Sequence, residues 1–194
     1  MHFPLDDADI HWHRGWLAAD QSDRMQRQLE HHIPWQVHRI RMFGRIVDSP
    51  RLSCWMGDAE ARYRYSGTDF LPEPWQPVLL PLRERLQAFC GHAFNSVLLN
   101  RYRGGADSMG WHSDDEPELG PQPVIASLSL GAARRFLLRR RDDPTRKAEY
   151  LLGHGDLLVM AGQTQRFYQH ALPKMARVQG ERINLTFRWI TPRG

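Results

Sequence analysis

The spacing of hydrophobic positions along this chain changes near residue 93. Over residues 20–32 it is helical: Met25, Leu29 and Ile33 recur every fourth position and fall on one stripe. Asp20 is the expected N-cap of this helix, and Asp23 lies in its first turn, where a carboxylate suits the positive end of the helix dipole. A second helix is predicted over 77–90, with Pro77 suited to its first turn and Leu79, Leu82, Leu86 and Phe89 on one stripe. Between the helices the chain breaks into short apolar pieces and turns. Met42-Phe43-Gly44, Ser49-Pro50-Arg51 and Tyr63-Arg64-Tyr65-Ser66-Gly67 read as hairpins and loops.

Beyond residue 93 the period is two. Phe94, Ser96, Leu98, Asn100 and Tyr102 fall on one face of a predicted strand, with Val97 and Leu99 on the other. Further strands are predicted at 123–130, 135–140, 156–160 and 182–190, separated by glycines. Two helices followed by many short strands predict a mainly β fold, a largely antiparallel sheet system with flanking helices. In the last strand Arg182, Asn184, Thr186 and Arg188 share one face, opposite Ile183, Leu185, Phe187 and Trp189. Two environments satisfy that row. It is an edge strand with one face in water, or the wall of a wet cavity whose guanidiniums hold a small dianion, because a buried Arg needs an anionic partner. A dicarboxylate would supply one.

Candidate metal chemistry centres on Trp111-His112-Ser113-Asp114. On a strand, side chains two apart point the same way, so the His112 imidazole and the Asp114 carboxylate converge on one ion. His170, in Gln169-His170-Ala171-Leu172-Pro173, is the candidate third ligand, on a neighbouring strand. Two histidines and one carboxylate on one face of an octahedron leave three positions open, as in non-haem Fe(II) oxygenases. Zinc hydrolases use the same donor types. His154, beside a strand start, is a weaker competitor, and His2, His11, His13, His31, His32 and His38 lack ligand-like neighbours.

Composition narrows the setting. A 194-residue chain with 41% hydrophobic and 25% charged residues is expected to fold around one sizeable core, as one domain. No apolar run approaches the roughly 18 residues needed to cross a bilayer, and Met1–His13 does not read as a secretory signal. Cys54 and Cys90 cannot build a disulfide framework, so a cytoplasmic location is expected. Only two of the 26 basic residues, Lys147 and Lys174, are lysine. Arginine's planar fork suits phosphates and carboxylates, although GC-rich coding produces the same bias. Arg134, Arg135, Arg139, Arg140 and Arg141 surround Phe136-Leu137-Leu138 and are candidate phosphate contacts, or a solvated hairpin pairing with Asp142 and Asp143.

The order Asn100-Arg101-Tyr102, His112-Ser113-Asp114-Asp115-Glu116, His170 and Arg182-Ile183-Asn184-Leu185-Thr186-Phe187-Arg188 resembles the AlkB family of Fe(II)- and 2-oxoglutarate-dependent dioxygenases. The likeness spans about residues 40–190 and is nearest the branch that repairs duplex DNA. It implies a double-stranded β-helix (jelly-roll) core at about 93–194, preceded at about 1–92 by helices and a nucleotide-recognition lid. It implies His112, Asp114 and His170 as Fe(II) ligands, and Arg182, assisted by Asn184 and Tyr102, as the clamp on the C5 carboxylate of 2-oxoglutarate. Arg188 with Asn100 would lie near the C1 carboxylate. Met42, Phe43 and Gly44 would form a wedge filling the gap left by a flipped base. Tyr63, Tyr65 and Ser66 would cover that base, and Glu116, beside Asp115, would meet its exocyclic amino group.

The implied reaction takes O2 and 2-oxoglutarate as cosubstrates. It removes the methyl group of N1-methyladenine or N3-methylcytosine in DNA as formaldehyde, leaving succinate and CO2. The implied partner is duplex or single-stranded DNA with a flipped alkylated base, met by a monomer that touches no membrane. The alternatives are an oxygenase acting on RNA or on a protein, a metal-dependent hydrolase, and a non-catalytic nucleic-acid-binding module.

Overall fold

In the computed structural model the described residues are 5–37, 39–42, 45–65 and 68–192, with the strand segments 39–42, 45–47, 63–65 and 68–70 as backbone only. The chain opens with strand β1 (Asp9–His13) and helix α1 (Ala19–His32). Two short antiparallel ladders follow: β2 (Arg39–Met42) with β3 (Arg45–Asp48), and β5 (Tyr63–Tyr65) with β6 (Thr68–Phe70), separated by β4 (Leu52–Gly57). Helix α2 (Leu80–Cys90), entered through a 3-10 turn at Pro77–Leu79, leads to β7 (Ser96–Tyr102) and β8 (Met109–His112). The remaining strands are β9 (Ile125–Gly131), β10 (Arg134–Arg140), β11 (Lys147–Leu152) and β12 (Leu157–Ala161), then, after the one-turn helix α3 (Thr164–Phe167), β13 (Tyr168–Leu172) and β14 (Arg182–Arg188).

The long strands form two antiparallel sheets flanked by helices, a double-stranded β-helix. The larger runs β1-β12-β9-β14-β7-β4 and the smaller β11-β10-β13-β8. Strand β14 lies between β7 and β9, and all seven of its residues are buried. That position excludes the edge-strand reading of the Arg-Asn-Thr-Arg row. Its register is unbroken: Arg182 pairs with Tyr102 and Gly131, and Asn184 with Asn100 and Ser129.

Alternation then sorts the core into two layers. Ile183, Leu185 and Phe187 join Val97, Leu99 and Leu128 on the helix side, where they meet Leu29, Ile33, Leu79, Leu82 and Leu86. Full burial of each such side chain is worth about 1.5–3 kcal/mol, and this layer holds the helices to the large sheet. Ile125, Phe136, Leu138, Leu158, Met160 and Tyr168 fill the space between the two sheets. The polar face of β14 looks into that second space.

Several local expectations are corrected. Helix α1 begins one residue before Asp20, at an Ala18 N-cap that makes no side-chain bond. Asp20 instead lies within the first turn and pairs with Arg24 at 2.8 Å, one turn on. Phe89 departs from the buried stripe of α2: it is 47% exposed and meets His13 and Trp16 edge-on. Phe94 precedes β7 and packs with Val97 and Leu99 instead of sharing the face of Asn100. Strands β1, β4 and β11 were not expected. Strand β4 is buried on both faces and so shows no alternation, and β1, the edge strand of the large sheet, is stitched to β12 by backbone bonds that polar residues make as well as apolar ones.

Candidate active site

Three strands and one tight loop assemble the site. Strand β8 ends at His112, the chain turns, and Asp114 follows within the same pocket; β13 carries His170, paired in register with His112. One ligand atom from each of His112, Asp114 and His170 lies within 4.8 Å of the others, among the described residues the one group of three or more His, Cys, Asp or Glu that meets this spacing. The Gly110 carbonyl, which can only accept, lies 2.9 Å from His112 Nδ1 and takes a hydrogen bond from it, leaving Nε2 as the ring nitrogen that faces Asp114, 3.9 Å away. The His170 ring is buried, stacks on Phe136 at 5.3 Å between centroids, and meets the His112 ring edge-on. Burial, with His112 beside it, pushes the His170 pKa down to about 3, so its imidazole is neutral. Burial pulls the Asp114 carboxyl the other way, but the Arg188 guanidinium, which donates to it, outweighs burial and holds Asp114 ionised. Two imidazoles and a carboxylate are the donor set that a divalent ion such as Fe(II) needs on one face, so the residues present fit the metal.

Second contacts fix the carboxylate. Arg188 Nη2 donates to Asp114 Oδ2 at 2.9 Å, and the Asp114 backbone N–H donates to Gln165 Oε1 at 2.9 Å. Gln165 is buried, on the short helix α3, and the sequence reading passed over it. Its only sequence signal is proximity to His170, which does not separate it from any loop glutamine.

From the metal triad a cavity extends along the polar face of β14, lined by Asn100, Tyr102, Arg182, Asn184, Thr186 and Arg188 from the large sheet. Met109, Phe136, His170 and Leu172 line it from the small sheet. At the end away from Asp114, Arg182 Nη2 donates to Ser129 Oγ at 2.8 Å and to Asn184 Oδ1 at 2.6 Å. Both partners are neutral, and Arg182 Nε, although buried, has no hydrogen-bond partner. Burial pulls the Arg182 pKa down to about 10, opposed by Tyr102 and reinforced by the nearby Arg134. A charged fork with one donor to spare, facing a cavity, fits a carboxylate. Asn184 Nδ2 in turn donates to Thr186 Oγ1 at 2.8 Å, so the row is hydrogen-bonded along its length. Asn100 Oδ1 accepts from Arg51 Nε at 2.8 Å, a contact the reading of Ser49-Pro50-Arg51 as a plain turn did not anticipate.

The remaining candidates separate. Asp115 is exposed and pairs with Arg141 at 2.7 Å; Glu116 is half-buried where the 117–119 turn begins. Phe43, Gly44 and Ser66 lie outside the described residues. Met42 ends β2, and Tyr63 and Tyr65 lie two apart on β5, sharing one strand face. The arginine run divides. Arg134 is fully buried and donates to three backbone carbonyls, which removes it from any surface contact with phosphate. Arg135 pairs with Glu149, and Arg140 with Asp7 and Asp142, while Arg139 lies over the exposed Trp111 ring at 4.2 Å. Trp111 thus faces outward beneath Arg139. His154 accepts from the Gly131 N–H at 2.8 Å and faces Asp23, far from the triad in its contacts.

The family model described as the 2OG-Fe(II) oxygenase superfamily matches residues 9–188. The DNA oxidative demethylase ALKBH2 of Mus musculus is 40% identical over 182 residues, covering 89% of this chain and 76% of that protein. The alpha-ketoglutarate-dependent dioxygenase alkB homolog 3 of Homo sapiens is 41% identical over 187 residues, covering 92% of this chain and 65% of that protein. Across four mammalian alkB homolog 3 proteins, the chain spans 63–65% of the relative's length. The solved structure of OsALKBH1 shares the fold, with a TM-score of 0.64 over 94% of this chain and 97% of that one at 16% identity.

Proposed function

The chain belongs to the AlkB family within the 2OG-Fe(II) oxygenase superfamily, and from that premise we propose that it removes alkyl groups oxidatively from nucleobases, with N1-methyladenine and N3-methylcytosine in DNA as its substrates. The observation that carries this reading is the pairing, in one cavity, of the His112–Asp114–His170 triad with an Arg182 that has only neutral partners. A hydrolase has no use for the second element. An oxygenase that consumes 2-oxoglutarate does.

Iron, held by the triad, supplies activation of O2 coupled to decarboxylation of 2-oxoglutarate, with succinate, CO2 and formaldehyde as the final products. The chain's own residues position. Arg182, with Asn184 and Tyr102, receives the distal carboxylate and sets the cosubstrate's direction along β14. Arg188 holds the Asp114 carboxylate in one orientation, and Gln165 holds the backbone beneath it. Tyr63 and Tyr65, on one face of β5, supply stacking surface worth roughly 1–3 kcal/mol per base, enough to orient a flipped base. Methylation at N1 of adenine or N3 of cytosine leaves the base cationic and blocks pairing, which lowers the cost of extruding it. The Glu116 carboxylate complements that charge.

The test uses oligonucleotides carrying either lesion as duplex DNA, single-stranded DNA and RNA. Each is incubated aerobically with Fe(II), 2-oxoglutarate and ascorbate and read by mass spectrometry, with Asp114→Ala as control. Loss of the methyl group with one succinate formed per event, absent in the control, is the expected outcome. Demethylation confined to RNA would move the substrate class. Succinate formation without any change in the oligonucleotides would overturn base repair.

A further inference from the structure

Arg134 is a buried charge that neither the metal triad nor the β14 row uses. Its fork reaches three backbone carbonyls in two loops: Nη1 donates to the Gly104 carbonyl at 2.9 Å, and Nη2 to the carbonyls of Asp107 at 2.7 Å and Pro173 at 2.9 Å. Gly104 and Asp107 lie in the loop from β7, which ends at Tyr102, to β8, which ends at His112. Pro173 directly follows β13, the strand of His170. One guanidinium therefore joins the segments that carry Tyr102, His112 and His170.

The two loops are also pressed together without it. The Gly105 N–H donates to the Val178 carbonyl and the Gly105 carbonyl accepts from the Met175 N–H, both at 2.8 Å, and a Cβ on Gly105 would collide with the Met175 carbonyl. This is the end of the cavity at which Arg182 stands. The Arg182 and Arg134 guanidiniums lie 5.4 Å and 5.7 Å from the centroid of the same Tyr102 ring. Backbone carbonyls satisfy N–H groups but do not cancel a charge. Asp107, whose carboxylate is the near anion, is engaged by Arg103 through Nε at 2.8 Å and Nη2 at 2.9 Å. The Arg182 end of the cavity thus has two formal cations around one aromatic ring.

We propose that Arg134 is a positioning residue for the cosubstrate: it braces Tyr102 and the cavity floor behind Arg182 and adds a second positive charge there, so that the site accepts a five-carbon dicarboxylate and refuses a longer one. This rests on the reading of 2-oxoglutarate as cosubstrate. A purely structural clamp would lower stability and leave ligand affinity alone; a positioning residue changes affinity and length selectivity.

The discriminating experiment is anaerobic calorimetric titration of the Mn(II)-loaded full chain with 2-oxoglutarate and with 2-oxoadipate, one methylene longer. Wild type, Arg134→Gln and Arg134→Lys are compared, with melting temperature and Mn(II) affinity measured beside them. Arg134→Gln is expected to weaken 2-oxoglutarate about tenfold, to narrow its advantage over 2-oxoadipate by a similar factor, and to change Mn(II) affinity less than about twofold. Arg134→Lys keeps the charge but cannot span three carbonyls, and is expected to lose about threefold. It carries the test if Arg134→Gln does not fold. Unchanged 2-oxoglutarate affinity in a folded variant, or an equal loss of Mn(II) and 2-oxoglutarate affinity, overturns the proposal. Failure of the wild type to bind 2-oxoglutarate would instead overturn the cosubstrate reading, and this proposal with it.

Discussion

Arg182 and Arg188 stand at opposite ends of one strand face, both buried, and their surroundings differ in kind. Arg188 donates to a carboxylate, Asp114, so its charge is cancelled within the protein. Arg182 donates to a hydroxyl and an amide oxygen, both neutral. A cation whose pKa in the fold, about 10, is below its ordinary value costs stability at every pH below that figure, and the cost fades as pH rises through it. The comparison teaches how one strand serves two tasks. At one end the charge is spent on the carboxylate of the triad; at the other it stays uncancelled, at the fold's expense, as the proposed role of Arg182 in receiving a dicarboxylate requires.

Replacing the two arginines in turn should separate these tasks most widely. Arg188→Met strands the Asp114 carboxylate in the interior, and the metal-free protein is expected to lose about 3–5 kcal/mol in urea unfolding, with part recovered on adding Mn(II). Arg182→Met removes a charge with no partner. Its metal-free stability should hold or rise by about 1 kcal/mol while 2-oxoglutarate affinity falls about a hundredfold in the same calorimetric assay. If both variants lose stability equally, the distinction between them is wrong. Asn184→Asp sharpens it by giving Arg182 an internal anion: the melting temperature should rise and 2-oxoglutarate binding weaken about tenfold, because the ligand must now displace a fixed carboxylate. At the small end of the scale, Arg135→Ala breaks an ion pair whose partners are 45% and 46% exposed, and a loss below about 0.5 kcal/mol is expected.

What the amino-acid sequence made legible follows the same line. Alternation in Arg182–Arg188 is a backbone-periodic signal and holds in three dimensions; His112 and Asp114 do converge, but through the turn after β8, which ends at His112, and not along one strand face. Alternation alone left open which face met water, since a central strand and an edge strand can share one pattern; the pairing of β14 with both β7 and β9 decides it. Arg134 stood among five arginines that look alike in one dimension. Only the Gly104, Asp107 and Pro173 carbonyls, brought together by loops remote in sequence, distinguish it from its exposed neighbours. Gln165 and Arg51 were missed for the same reason: each acts through hydrogen bonds to residues remote in sequence, Asp114 for one and Asn100 for the other.

The pairing of β14 has a consequence for how errors in assembly are detected. Its seven residues are in step with β7 on one side, and from Arg182 to Phe187 with β9 on the other. A slip of one residue would exchange its faces, driving two guanidiniums into the layer of Val97, Leu99 and Leu86 and turning Ile183, Leu185 and Phe187 toward the His112–Asp114–His170 triad. Such a chain would not be a slower catalyst; it would lack the energy to stay folded. Proofreading of the alignment is therefore built into the strand itself, and molecules that pass it arrive with their chemistry already in place.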